Sequence, residues 1–181
     1  MSVERFKTAQ SDGRYEAALD EIRSGGKRGQ WIWFVFPQAA GLGQSDMAIR
    51  YAIQSPDEAI EYLRDRALSA RLFEITDEVL KTVRDGIPLD ALMASPLDAR
   101  KLVSSLTLFE SIGRRLLADA KPPAVNEPGN ASRAEDLRGF VDTASRVLDL
   151  AESEGIPRCG FTLRWLAAPA APDAPAAPGC T

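Results

Sequence analysis

A chain of 181 residues, 45% apolar and 27% charged, has the length and mix of one globular domain with a proper core. Its net charge of −4 argues against a general nucleic-acid binder, which needs a basic face to displace phosphate counterions. It has no histidine, so a Ser-His-Asp or Cys-His site is impossible within the chain and the commonest metal ligand is missing.

The N-terminus is interrupted at once by Glu4, Arg5 and Lys7, so no signal peptide is expected. Phe6 and Ala9, then Tyr15, Ala18, Leu19 and Ile22, fall at helical spacing. Asp12-Gly13 separates a short helix from a longer one, and Gly25-Gly26 stops the second. Lys27-Arg28-Gly29-Gln30 then leads into Trp31-Ile32-Trp33-Phe34-Val35-Phe36-Pro37-Gln38. Every position from Trp31 to Phe36 is apolar, which fits neither a helical nor a strand period. Aromatics beside two cations read as a buried anchor or as the floor of a pocket. The uncharged run continues to Ser45 but is broken by Pro37, Gly41 and Gly43, so it cannot span a membrane. The expected location is cytoplasmic.

Ser45 can cap a helix running to about Ile53. Ser55-Pro56-Asp57-Glu58 carries a capping serine, proline at the first helical position and an acid three residues after the cap. Ser95-Pro96-Leu97-Asp98 repeats that grammar. The helix from Ser55 carries Ala59, Ile60, Tyr62 and Leu63, and the next carries Leu68 to Val83 and ends at Gly86. The helix from Ser95 places Leu102, Leu106, Phe109 and Ile112 on one face. Residues 118–132 hold two proline-rich turns and read as a surface loop or insertion. A helix over about 134–152 and a short element at 161–166 follow. Residues 167–181 form an Ala/Pro-rich tail, expected to be disordered. The expected fold is all-α: one helical domain over 1–166 and the tail. Cys159 and Cys180 are too few for a zinc cluster and read as free thiols in a reducing compartment.

Two clusters carry possible chemistry. Lys27 and Arg28 follow paired glycines, which let backbone amides approach an anion, although the pattern is not a phosphate loop. Lys101 shares a helix face with Ser104 and Ser105, whose hydroxyls need partners if buried. Gln38 is a candidate partner. The bland readings are a solvated lysine–arginine pair, packing serines, a capping Asp98 and an aromatic core. Asp46, Asp98 and Glu110 are available as carboxylate bases, but no spacing singles out a pair.

Arg5-Phe6, Ala9-Gln10 and Tyr15 resemble the opening of the domain-of-unknown-function 1810 family. Lys27-Arg28 with Trp31 to Gln38 is similar to its hallmark, continued by Gly41-Leu42-Gly43, Ser45, Ala48 and Tyr51-Ala52-Ile53. Asp98, Lys101, Ser104-Ser105 and Thr107-Leu108-Phe109 resemble its second motif. The resemblance covers about Val3 to Ile112 and implies a small, mostly helical intracellular domain with no established reaction. Members are sometimes labelled calpastatin-like, which a compact domain does not support. The family often has histidine where this chain has Gln30, and an aspartate before the late Thr-Leu pair where this chain has Arg158-Cys159-Gly160.

The leading expectation is a pocket that binds, and could process, a small anionic aromatic metabolite such as a nucleotide or ADP-ribose derivative. Its residues would be Lys27, Arg28, Gln30, Trp31, Trp33, Gln38, Lys101, Ser104 and Ser105. No cofactor, metal, nucleic acid or membrane is expected. The competing expectations are a protein-interaction module anchored by residues 31–36, or a purely structural aromatic core.

Overall fold

The computed structural model describes residues 3–119 and 128–168. Its elements are α1 (Glu4–Ala9), α2 (Arg14–Arg23), α3 (Ile32–Val35), α4 (Asp46–Arg50), α5 (Pro56–Arg64), α6 (Arg66–Arg84), α7 (Leu89–Leu92), α8 (Pro96–Asp119), α9 (Pro128–Ser153) and α10 (Gly160–Ala167). The chain is an all-helical domain. Among the described residues the only extended pairing is an isolated parallel bridge between Ala39 and Ile53.

The predicted starts work as capping chemistry requires. The hydroxyls of Ser45, Ser55 and Ser95 accept from the N–H groups of Ala48, Glu58 and Asp98. Each cap satisfies one amide that the helix cannot. Glu58 then turns back to the Gln54 N–H at 2.7 Å and pairs with Arg5. Gly25, at φ +81°, turns the chain out of α2, with Ile87 so close that a Cβ would meet its Cδ1 at 2.8 Å.

The middle of α8 is buried all round, and it packs against α9, α5, α7, α10 and α3. Gly113 permits the α9 contact: a Cβ there would lie 2.7 Å from Val141 Cγ2. A relay of rings ties the N-terminal elements to α8. Phe34 meets Tyr51, Tyr51 meets Phe6, Phe6 meets Tyr62, and Tyr62 meets Phe109 at 4.9 Å. Aromatic pairs at such distances add to the stabilisation from area burial alone.

Several sequence expectations need revision. The aromatic segment contains a short helix, α3, because four consecutive apolar residues inside a core need no amphipathic period. The four-residue α7 was not anticipated. The helix after Ser45 stops at Arg50 rather than Ile53, where the chain turns to bridge Ala39. Helices α8 and α9 extend into the segment read as a loop, with Pro128 at the first position of α9, where its missing N–H costs nothing. The remainder of that segment, 120–127, lies outside the described residues, as does the tail from 169 onward.

Candidate functional site

The two motifs meet at Asp98. Ser95 caps α8 by accepting from the Asp98 N–H, and the Asp98 side chain, 15% exposed, is taken up by two lysines. Its carboxylate receives Lys27 Nζ at 2.7 Å and Lys101 Nζ at 2.9 Å. Lys27 is buried, and its backbone N–H donates to the Leu92 carbonyl at the end of α7. Each lysine also lies over a tryptophan: Lys27 is 5.4 Å from the Trp31 ring centre, and Lys101 is 4.5 Å from that of Trp33. Two ammonium groups share one carboxylate, so the cluster carries a local positive charge on an acidic protein. Burial pushes the Asp98 carboxyl up, but the Lys101 and Lys27 ammonium groups outweigh it and hold the pKa below its ordinary value.

The two tryptophans differ. Trp31 is buried, and its indole N–H donates to Glu21 Oε2 at 2.7 Å. The same oxygen accepts from the backbone N–H groups of Arg28, at 2.7 Å, and Gly29, at 2.8 Å. Glu21 thus fills, from within the chain, the anion position expected of the loop after Gly25-Gly26. Ile32, Phe34, Val35 and Phe36 are buried too, whereas Trp33 is only half-buried.

Burial opposes ionisation of Glu21, but the three N–H donors prevail and its pKa is lowered. A carboxylate with a depressed folded pKa stabilises the fold above its unfolded value, about 4.3, and that contribution is lost as pH falls through the folded pKa. Glu21→Gln should therefore cost about 1.5–3 kcal/mol at pH 7, as expected for hydrogen bonds to a charged group. Urea denaturation of both proteins should show the difference shrinking below about pH 4.

Ser104 Oγ lies 3.0 Å from Thr162 Oγ1 on α10. Cys159 stands just before α10, and its N–H donates to Thr107 Oγ1 at 3.2 Å. Burial pushes the Cys159 thiol up. The hydroxyls of Thr162 and Ser104, with the N–H groups of Thr162 and Phe161, outweigh it and draw the pKa down. Ser105 Oγ is buried and makes no hydrogen bond among the described residues.

Lys27, Trp31, Trp33 and Lys101 are thus gathered around Asp98, and Ser104 and Ser105 stand one turn further along α8 from Lys101. Arg28 and Gln30 are exposed, and Gln38 is half-buried with its carbonyl accepting from Ile53 N–H. No hydrogen bond or ion pair among the described residues joins those three side chains to the cluster. Sequence reasoning missed Glu21 and Thr162 and gave Asp98 only capping or basic roles. Asp98 carries its own signal, an acid three residues before Lys101. Glu21 has none, because its partners lie beyond a turn. Among the described residues there is no group of three acidic or cysteine side chains placed to hold a metal, and no helix long and apolar enough to cross a membrane.

The described residues thus combine an all-helical fold, a largely buried aromatic segment and a lysine–aspartate–lysine bridge. The chain belongs to the family described as protein of unknown function (DUF1810), whose model matches residues 1–119. It is similar in structure to the conserved hypothetical protein Rv1873 from Mycobacterium tuberculosis, with 32% identity and a TM-score of 0.66, over 92% of this chain and 97% of that one. No curated protein matches.

Proposed function

We propose that this protein binds a small planar anion, of the nucleotide or ADP-ribose type, at the ledge formed by Trp33 and Lys101. The observation that carries the reading is Lys101 Nζ, 4.5 Å over the half-buried Trp33 ring and anchored on a carboxylate that a second ammonium already neutralises. Lys101 can turn to an incoming anion while Asp98 keeps Lys27. The uncovered part of the indole offers a flat apolar contact to a ring. Lys27, being buried, contributes field rather than contact. Burial of Trp31, Phe34 and Phe36 favours a structural role for those rings and leaves little of the segment to anchor a protein partner.

The test is a thermal-shift series with ADP-ribose, AMP, adenosine and inorganic phosphate. The anionic nucleotides should raise the melting temperature more than adenosine or phosphate, because a ligand bound only by the folded state stabilises it. Lys101→Ala should weaken that response roughly 10- to 100-fold in ligand concentration, as for a lost charged hydrogen bond, with the helical circular dichroism unchanged. No shift with any nucleotide at millimolar concentration, or an unaltered response in Lys101→Ala, would overturn the reading.

A further inference from the structure

The Glu21 carboxylate is held as an anionic ligand would be held. One oxygen, Oε2, accepts three N–H groups at once: those of Arg28 at 2.7 Å and Gly29 at 2.8 Å, and the Trp31 indole at 2.7 Å. Successive backbone amides turned toward one oxygen form a concave nest for anions. Hydrogen bonds to an ionised acceptor are the strong kind. The cradle depends on the absence of a side chain at Gly29. A Cβ there would lie 3.0 Å from Glu21 Oε1 and 2.9 Å from Trp31 Cδ1. The exposed Arg28 side chain adds a positive charge that favours an ionised occupant.

The donors are fixed by contacts in which the Glu21 side chain has no part. Gly26 N–H donates to the Glu21 backbone carbonyl at 3.0 Å, and Lys27 N–H donates to the Leu92 carbonyl at 2.8 Å, which pins the loop to α2 and α7. Lys27 Nζ is tied to Asp98 on α8. On the other side of the turn Trp31 is buried and packs against Phe36, with ring centres 6.4 Å apart. The Glu21 side chain is half-buried and makes no ion pair among the described residues. It is the movable member of the set.

We propose that the turn from Arg28 to Trp31 is a binding site for a small oxyanion, a carboxylate or a phosphate, and that the Glu21 carboxylate is its built-in, displaceable occupant. Glu21 competes from within the chain, so its effective concentration is high and an external anion enters the wild type only weakly. Truncating the side chain empties the site without removing a donor. The inference is independent of the proposed ligand at the ledge, because neither Trp33 nor Lys101 donates here.

Proton–nitrogen NMR spectra at pH 7 test it through the three donor signals. In Glu21→Ala, sodium formate and, separately, sodium phosphate should shift the Arg28, Gly29 and Trp31 indole N–H signals together and saturably at millimolar concentration. Sodium chloride at matched ionic strength should not. In the wild type the same shifts should need roughly 10-fold more anion or beyond. A response to formate alone assigns the site to carboxylates, and one to phosphate alone assigns it to phosphoryl groups; either supports the proposal. No saturable shift with either anion, an equal shift with chloride, or equal midpoints in wild type and variant overturns it. Should Glu21→Ala not fold, Glu21→Gln answers the same question. Its neutral amide oxygen competes less well than a carboxylate, so formate or phosphate should still move the three signals, and unmoved signals overturn the proposal.

Discussion

Asp98→Ala should lower the free energy of unfolding by about 3–5 kcal/mol, the loss expected when one partner of a buried ion pair is removed. Lys27 decides the size. Its side chain is 4% exposed and its ion pair is with Asp98, so the substitution leaves a buried side chain without an ion-pair partner among the described residues, beside the Trp31 face. Lys101, at 17%, can turn to water and contributes little. Lys27→Met should cost far less than Asp98→Ala, because it removes the charge with the partner's need for it and keeps the apolar stem. Urea denaturation of the three proteins checks the order. Equal losses in the two variants would mean that packing, not the orphaned charge, sets the effect.

Phe109→Ala should cost about 3–5 kcal/mol, as for other large-to-small changes at buried aromatics. Phe109 is fully buried at the centre of α8 and ends the ring relay running from Phe34 through Tyr51, Phe6 and Tyr62. Removing it deletes its own contacts and leaves the Tyr62 ring facing a cavity. Phe109→Leu should recover much of the loss, since it restores most of the volume. Denaturant midpoints measure both. A loss below about 1 kcal/mol would show that the helices collapse into the space.

The long helices were legible because each one solves its own problem in sequence. α5 and α8 declare themselves by Ser-Pro caps, and α6 by an apolar stripe from Leu68 to Val83 that keeps its period for about four turns. α3 and α7 were not legible. A single helical turn is too short to show a period, and tertiary packing rather than propensity forms it. The two motifs were expected to meet across one cleft through their need for polar partners; Lys27 and Lys101 do share Asp98, whereas no hydrogen bond or ion pair among the described residues brings the side chains of Arg28, Gln30 or Gln38 to them. Which tryptophan would face outward could not be read. That choice is made by Glu21, ten residues before Trp31, whose carboxylate gathers three N–H groups only after α2 and the loop are folded. Ser104 finds its partner 58 residues later, a pairing no local pattern encodes.

The thiol before α10 is a reporter of the contact between α8 and α10. Burial opposes its ionisation, but the hydroxyls of Thr162 on α10 and Ser104 on α8, with the N–H groups of Thr162 and Phe161, outweigh burial and draw the Cys159 pKa below its ordinary value. One of those hydroxyls comes from each helix, so the rate at which iodoacetamide labels Cys159 in a Cys180→Ser protein depends on both helices keeping their places.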